Sequence, residues 1–275
     1  MKILKILTIV SMIIVLTITS VGCTFNEYNA ETFPINETID ENIVPEPNQE
    51  EVDVKNDTIT IVLDPGHGGT NTGATADVNG DGIIDLEKDL NLIVASYMME
   101  ILKDYKGLHV ASTRYSDVEL SHAERAAIAQ SYSKETLSRT VMLISIHNNA
   151  NPYTQSEGVE AFVSVFDERY DWISTDIAYV MVDAIVDNFE LLNRGVFTRA
   201  SRRHNDWYGI IRNGIARDIP VIILEQAFID NPADAFKALS SDEKLYRMAE
   251  TNAFAIVEFF GLEIREELQT INATE

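Results

Sequence analysis

The chain has 275 residues, of which 45% are hydrophobic and 24% charged, enough for one sizeable core or two small ones. A formal net charge of -23 argues against duplex nucleic acid as a partner, because a phosphate backbone attracts basic surfaces. The single cysteine, Cys23, excludes an intrachain disulfide and a cysteine-built metal site.

Residues 1–23 predict an export signal. Two lysines precede a long apolar stretch, and small residues lead into Cys23. The segment resembles a bacterial lipoprotein signal peptide that is cleaved before Cys23 and carries lipid on the cysteine sulfur. An uncleaved membrane anchor is the alternative, since the apolar stretch is near the spanning length of about 20 residues. Both interpretations predict an exported chain that is membrane-anchored on the extracytoplasmic side, through lipid or through a helix.

Residues 24–57 predict an acidic tether without a core of its own. The segment holds ten acidic residues, one lysine and three prolines, with almost no apolar periodicity. Such a composition cannot bury enough surface to fold, and its like charges repel one another. We therefore expect a disordered tether between the signal and the rest of the chain.

From Thr58 onwards, strand-like apolar segments alternate with helical patterns. The strand-like segments cover 58–64, 108–113, 140–146, 158–165 and 220–225, with a weaker one at 195–199. Strands that alternate with helices predict a layered α/β domain. Residues 262–275 are predicted to form a polar tail.

Helix boundaries are marked by local capping patterns. Ser121 and Glu124 form a capping-box pattern ahead of an alanine-rich helix. Asn231 followed by proline predicts a helix start, and Ser240 with a glutamate three residues later predicts the start of the last helix. Gly261 is predicted to end that helix.

Three of the strand-like segments end in side chains that can bind a metal or carry a proton: His67, His147 and Glu225. Because ligands of open α/β sheets bind beyond the carboxyl ends of the strands, we expect these side chains to meet. A catalytic zinc ion takes three ligands from His and Asp or Glu and keeps one position for water. Glu87, at the start of a helix predicted over 88–104, is the best candidate for the third ligand.

Glu225 has no ligand partner in its own segment and is predicted to move a proton during the reaction. Taken singly, each histidine could be structural, Glu87 could be a charge at a helix start, and Glu225 could be a salt-bridge partner. The combination favours a metal-dependent hydrolase.

At these residues the chain resembles the zinc-dependent N-acetylmuramoyl-L-alanine amidases of peptidoglycan, the third amidase type. The matching segments are Asp64–Gly69, Glu87–Leu92, Thr113–Arg114, Ala123–Ala126, Ser145–Ala150 and Leu224–Asn231, in the family's order. The resemblance implies one zinc ion per chain on His67, Glu87 and His147, with Glu225 as catalytic acid and base.

The same resemblance implies a single α/β catalytic domain over 58–261. Its sheet would be twisted, mixed and largely parallel, with about six strands and with helices on both faces. The implied reaction is hydrolysis of the amide between N-acetylmuramic acid and L-alanine of the stem peptide. Bacterial peptidoglycan would be the partner, and the enzyme would face the cell wall. The alternatives are a non-catalytic wall-binding lipoprotein and a zinc peptidase that cuts within the stem peptide.

Residues for substrate binding are expected at the rim of the site. Asn148 and Arg212 lie where the chain departs from the family's usual pattern. Arg202 and Arg203 belong to a basic cluster that could guide the carboxylates of stem peptides, although a solvated loop explains the cluster equally well. His122, in the first turn of a helix, is expected to be structural.

An acidic loop follows the calcium-binding pattern at Asp77, Asn79, Asp81 and Asp85. The pattern requires an acid at its twelfth position, where Lys88 stands. The sequence therefore allows either a weak Ca²⁺ site beside the zinc ligand Glu87 or a plain acidic turn.

Overall fold

The computed structural model describes residues 58–265, apart from 137, 152–155, 168 and 170. The signal expected at 1–23 with Cys23, the tether expected at 24–57 and most of the expected tail lie outside the described residues. Within the part that is described, no helix is both long and apolar enough to cross a bilayer.

Eight strands form two sheets. They are β1 (Ile59–Pro65), β2 (Thr75–Ala76), β3 (Asp85–Leu86), β4 (Leu108–Ser112), β5 (Thr140–Asn149), β6 (Val159–Val163), β7 (Asn193–Thr198) and β8 (Val221–Phe228). Six of them make one sheet in the order β4-β1-β5-β8-β6-β7. Neighbours are parallel except for β6 and β8, which are antiparallel. The six strands predicted from the sequence and the mixed, largely parallel sheet are confirmed.

The two-residue strands β2 and β3 pair as a hairpin around the acidic loop. They were not expected from the sequence, because two residues are too few to show a strand periodicity.

Helices cover both faces of the large sheet, as expected. They are α1 (Glu87–Leu102), α2 (His122–Glu135), α3 (Asp171–Phe189), α4 (Gly209–Ile215), α5 (Pro232–Asp234) and α6 (Asp242–Phe260), with a π-helical turn at Ala235–Leu239. Residues of α1, α3 and α6 share the larger buried cluster with one face of the sheet. Residues of α2 and α4 pack with the opposite face in a smaller cluster.

Most of the predicted helix signals appear in the structure. The Ser121–Glu124 capping box is formed, and Asn231 accepts hydrogen bonds at the start of α5. Gly261 ends α6 in the left-handed conformation. The predicted cap at Ser240 is wrong by one residue: the Ser241 side chain accepts the Lys244 N–H. The π-helical turn occupies the preceding residues, so the chain enters α6 one position later than the sequence pattern suggested.

The alternation of side chains along β5 and β8 places the polar residues on the α2 and α4 face. Leu143 and Ile223 belong to the cluster on that face. Because strand side chains alternate with a period of two, His147 and Glu225 point to the same face further along each strand. The two residues are direct register partners. A pair separated by 78 positions in sequence thus becomes adjacent.

Candidate metal centre

Three side chains from distant parts of the chain meet near the carboxyl ends of β1 and β5. His67 follows β1, Glu87 is the first residue of α1, and His147 lies near the end of β5. Glu87 Oε2 is 3.1 Å from His67 Nε2, and Glu87 Oε1 is 3.0 Å from His147 Nδ1. The centroids of the two imidazole rings are 4.9 Å apart. One carboxylate therefore bridges the two imidazoles.

Glu87 is held in place by backbone and side-chain donors. Its Oε2 accepts the Ala74 N–H at 2.8 Å, and its Oε1 accepts the Asn148 N–H at 3.1 Å and the Asn91 amide at 3.3 Å. Burial alone would raise the pKa of this carboxyl. Hydrogen bonds from His147 and His67 outweigh burial and hold the pKa well below its usual range. The carboxylate is therefore ionised, as a metal ligand must be.

His67 occupies an unusual backbone conformation. Its φ of 61° lies in the left-handed region of the backbone, which residues other than glycine rarely adopt. Its Nδ1 is 2.9 Å from Asn71 Oδ1, and this contact leaves Nε2 facing Glu87. A second partner that fixes the ring and its tautomer is typical of histidine metal ligands.

His147 packs directly on the backbone of Gly66. A Cβ at Gly66 would lie 2.2 Å from His147 Cε1, so no other residue fits without moving the ring. Burial would lower the pKa of His147. The hydrogen bond that His147 donates to Glu87 and the nearby charge of Glu225 outweigh burial and raise the pKa to about 9. The ring is thus protonated at neutral pH when no metal is bound.

The residues present fit a metal ion. One ligand atom from each of His67, Glu87 and His147 lies within 4.8 Å of the others. Among the described residues, no other three His, Cys, Asp or Glu side chains gather this closely. Two imidazoles and one carboxylate are a typical donor set for catalytic zinc. Gly73 leaves room for this set, since a Cβ there would lie 2.4 Å from Glu87 Oε2.

Glu225 lies beside this group on β8. Its Oε2 is buried and has no hydrogen-bond partner among the described residues. Burial raises the pKa of Glu225 to about 7, and the carboxylates of Glu87 and Glu160 add to the rise. Glu160 is occupied elsewhere, because it accepts hydrogen bonds from Asn149 and Arg194 at 2.6 Å each. Glu225 is therefore a free carboxyl that can change protonation near neutral pH.

A cavity of about 80 Å³ opens on this side of the sheet. Its lining includes His67 and His147, together with His122, Arg125 and Ile210. His122 packs against Gly209 at the start of α4, and burial lowers its pKa. From the sequence alone, we expected a structural role for His122. Its place in the cavity wall depends on the contact between α2 and α4, which no local pattern encodes.

The residues expected at the rim have different surroundings. Asn148 is only 2% exposed rather than open at the rim, and its side-chain amide donates to Asn91 Oδ1 at 2.9 Å. Its role in substrate binding stays a prediction. The backbone N–H of Asn148 donates to Glu87 Oε1. Arg212 is exposed on α4 and donates to the carbonyls of Asp206 and Trp207. Arg202 and Arg203 are exposed in the turn before α4.

The acidic loop is organised by its own side chains. Asp77 accepts the N–H groups of Gly80, Asp81 and Gly82 at 2.8–3.1 Å. Asp85 Oδ2 accepts the Val78 N–H at 3.1 Å, and Asn79 donates to Asp81. In this loop, the acidic side chains form no group of three at metal-ligand spacing. The structure shows a self-capped acidic turn, and a Ca²⁺ site remains a prediction from the sequence pattern.

Comparisons with known proteins identify relatives of this chain. A family profile described as N-acetylmuramoyl-L-alanine amidase matches residues 61–258. The "Probable cell wall amidase LytH" of Staphylococcus epidermidis is 32% identical over 175 residues, which are 64% of this chain and 50% of that protein. The uncharacterized protein YqiI of Bacillus subtilis is 29% identical over 192 residues, which are 70% of this chain and 80% of YqiI. The chain spans about half the length of LytH.

Solved structures share the fold. Cwp6 from Clostridium difficile superimposes with a TM-score of 0.63 at 32% identity, over 74% of this chain and 29% of Cwp6. The catalytic domain of CwlV, an N-acetylmuramoyl-L-alanine amidase from Bacillus (Paenibacillus) polymyxa, gives a TM-score of 0.57 at 24% identity. That match covers 75% of this chain and 100% of the CwlV domain.

Proposed function

Because this chain belongs to the N-acetylmuramoyl-L-alanine amidase family, we propose that it is a zinc-dependent peptidoglycan hydrolase. The substrate bond is the amide between the lactyl group of N-acetylmuramic acid and L-alanine of the stem peptide. His67, Glu87 and His147 hold one Zn²⁺ per chain. The observation that carries the proposal is the meeting of these three ligands beside Glu225, whose Oε2 is buried and has no partner among the described residues.

A zinc ion held by His67, Glu87 and His147 would supply Lewis acidity, which would polarise the scissile carbonyl and make a water molecule more acidic. Glu87 supplies a negative charge that stays ionised, and His67 and His147 supply neutral nitrogens. Their combined charge leaves the centre electrophilic. Asn71, Asn91 and the Asn148 N–H fix the direction of the ligands before substrate arrives.

Glu225 carries the proton in this mechanism. Its free oxygen accepts a proton from the attacking water, and the same carboxyl then donates it to the leaving nitrogen of L-alanine. A pKa of about 7 suits both halves of this cycle, because the group changes protonation near the working pH. The cavity beside His67 and His147 gives the substrate access from the α2 and α4 side.

The test is digestion of purified peptidoglycan and of defined muropeptides by the full chain. New amino groups of L-alanine should appear, should vanish after chelation, and should return with Zn²⁺. Glu225→Gln should keep zinc and lose activity, while the control Glu258→Gln, an exposed residue of α6, should behave as wild type. Intact sugar–peptide links with cuts inside the stem peptide would establish the peptidase alternative. Wall binding without product release would establish the non-catalytic alternative.

We also propose that the enzyme works outside the cytoplasm, tethered by lipid on Cys23. The support is the sequence of residues 1–57 and the match to cell wall amidases. Cys23→Ala should abolish labelling by a fatty-acid probe and release the protein from the membrane fraction. Unchanged membrane retention without labelling would instead indicate an uncleaved helical anchor.

A further inference from the structure

Three successive carbonyls lie at the end of β1, those of Pro65, Gly66 and His67, and two buried arginines bind all of them. Arg114 Nε donates to Pro65 O at 2.8 Å, and its Nη2 donates to Gly66 O at 3.0 Å. Arg125 Nη1 donates to Pro65 O at 2.9 Å, and its Nη2 donates to His67 O at 2.6 Å. The two arginines are 2% and 3% exposed. We call this group the arginine clamp.

The turn needs such donors because the sheet no longer supplies them. The last bond between β1 and β5 runs from Gly66 N–H to Ile146 O at 2.9 Å. Beyond it, His67 adopts its left-handed conformation, which persists only where the surroundings enforce it. A guanidinium offers five donors in a rigid fork and can hold two carbonyls at once. Each of the two arginines binds two of the three carbonyls, and together they bind all three.

The clamp is itself fixed on both sides. Arg125 Nη1 pairs with Asp64 Oδ1 at 2.7 Å, and the hydroxyls of Thr113 and Ser145 donate to the same carboxylate. Asp64 is 1% exposed. These donors come from α2, from β5 and from the residue after β4, so neither Asp64 nor Arg125 is free to turn.

Arg114 connects the first metal ligand to the second. The Nη2 that binds Gly66 O also donates to Lys88 O at 2.7 Å. Lys88 follows Glu87 in the first turn of α1. A single guanidinium thus joins the turn that carries His67 to the helix start that carries Glu87. Replacing the Arg114 guanidinium by a group of another shape would therefore alter the distance between His67 and Glu87.

We propose that Arg114 and Arg125 are positioning residues of the metal centre, which set the places of His67 and Glu87 through their backbone. The inference rests on the proposed function, because it assumes that these ligands bind a metal. It assigns the arginines no contact with the reacting atoms. Their effect is on the affinity for the metal and on the geometry around it.

The experiment compares Arg114→Lys and Arg125→Lys with wild type and with Ile185→Ala. Lysine keeps the positive charge but loses the fork. Ile185 is fully buried in α3, on the opposite face of the sheet, so its truncation lowers stability without touching the clamp. Zinc affinity is measured by competition with a chromophoric chelator, and the geometry by the visible absorption of the Co²⁺-substituted proteins. Folding is checked by thermal unfolding of the metal-free chains.

We expect both lysine variants to bind zinc about 10- to 100-fold more weakly, the usual cost of losing an outer-shell partner, and to change the Co²⁺ spectrum. Ile185→Ala should keep wild-type affinity and spectrum despite a lower melting temperature. If the lysine variants keep wild-type affinity and spectrum, the positioning role of the two arginines is refuted, while the proposed metal centre stands. An equal loss of affinity in Ile185→Ala would also refute the positioning role. A wild-type chain that binds no divalent cation would overturn both proposals.

Discussion

Replacing Glu225 by glutamine should separate catalysis from stability. Glutamine has nearly the same shape but cannot carry a proton between water and the leaving nitrogen. We expect kcat of the zinc-loaded variant to fall by about 10²- to 10⁴-fold, the usual contribution of a general acid or base. Zinc content should stay at one per chain, because Glu225 is not one of the three proposed ligands.

The same change should stabilise the metal-free protein at alkaline pH. The pKa of Glu225 rises from 4.5 to about 7 on folding, so the folded chain holds this proton more tightly than the unfolded chain. The resulting cost is absent below about pH 4.5, grows between the two values and is complete above about pH 7. A pKa shift of this size lowers the free energy of unfolding by about 3 kcal/mol above pH 7. Because the side chain is partly exposed, solvent reduces this cost to roughly 2 kcal/mol.

Glutamine removes this cost but leaves an amide without partners, so the net gain should be about 1–2 kcal/mol at pH 8. For a domain of this size, that gain corresponds to a rise in melting temperature of roughly 2–6 °C. Thermal unfolding with chelator at pH 5 and pH 8 measures it, and the gain should be much smaller at pH 5. A gain equal at both pH values, or full activity in the variant, would refute the assignment of Glu225.

Three further predictions concern the metal centre and its support. Zinc binding to the metal-free chain at pH 7 should release about one proton, since His147 with its pKa of about 9 must become neutral; calorimetric heats that do not depend on the buffer would contradict this. Gly66→Ala should abolish stoichiometric zinc binding in elemental analysis, because its Cβ would enter the His147 ring. Ser121→Ala should lower the free energy of unfolding by about 1 kcal/mol in urea titrations, through loss of the capping box with Glu124. Zinc stoichiometry should be unaffected by that last change.

The candidate ligands could be named from the sequence because each stands at a local signal. His67 and His147 follow apolar β-branched runs, and Glu87 stands at a helix start. Such signals depend on a few neighbouring residues, so they survive without knowledge of the fold. The same locality explains why the six strands and the Ser121 cap were predicted correctly.

Other features required the folded chain. The burial of Asn148 depends on its contact with Asn91, 57 positions away, and a rim position was expected instead. His122 lines the cavity because its ring packs against Gly209, the first residue of α4. Neither contact leaves a periodic pattern in the sequence, because each one joins two residues that belong to distant segments of the chain.

The sequence by itself determined the six strands of the large sheet, the capping box of α2, and the polar residues that stand at the strand ends. The tertiary structure decided that β1, β5 and β8 are neighbours, that His147 and Glu225 share a register, and that Arg114 and Arg125 bind the turn of His67. The physical reason is the range of the interactions. Hydrophobic periodicity and capping act over a few residues, whereas strand order and buried hydrogen bonds join residues that only packing brings together.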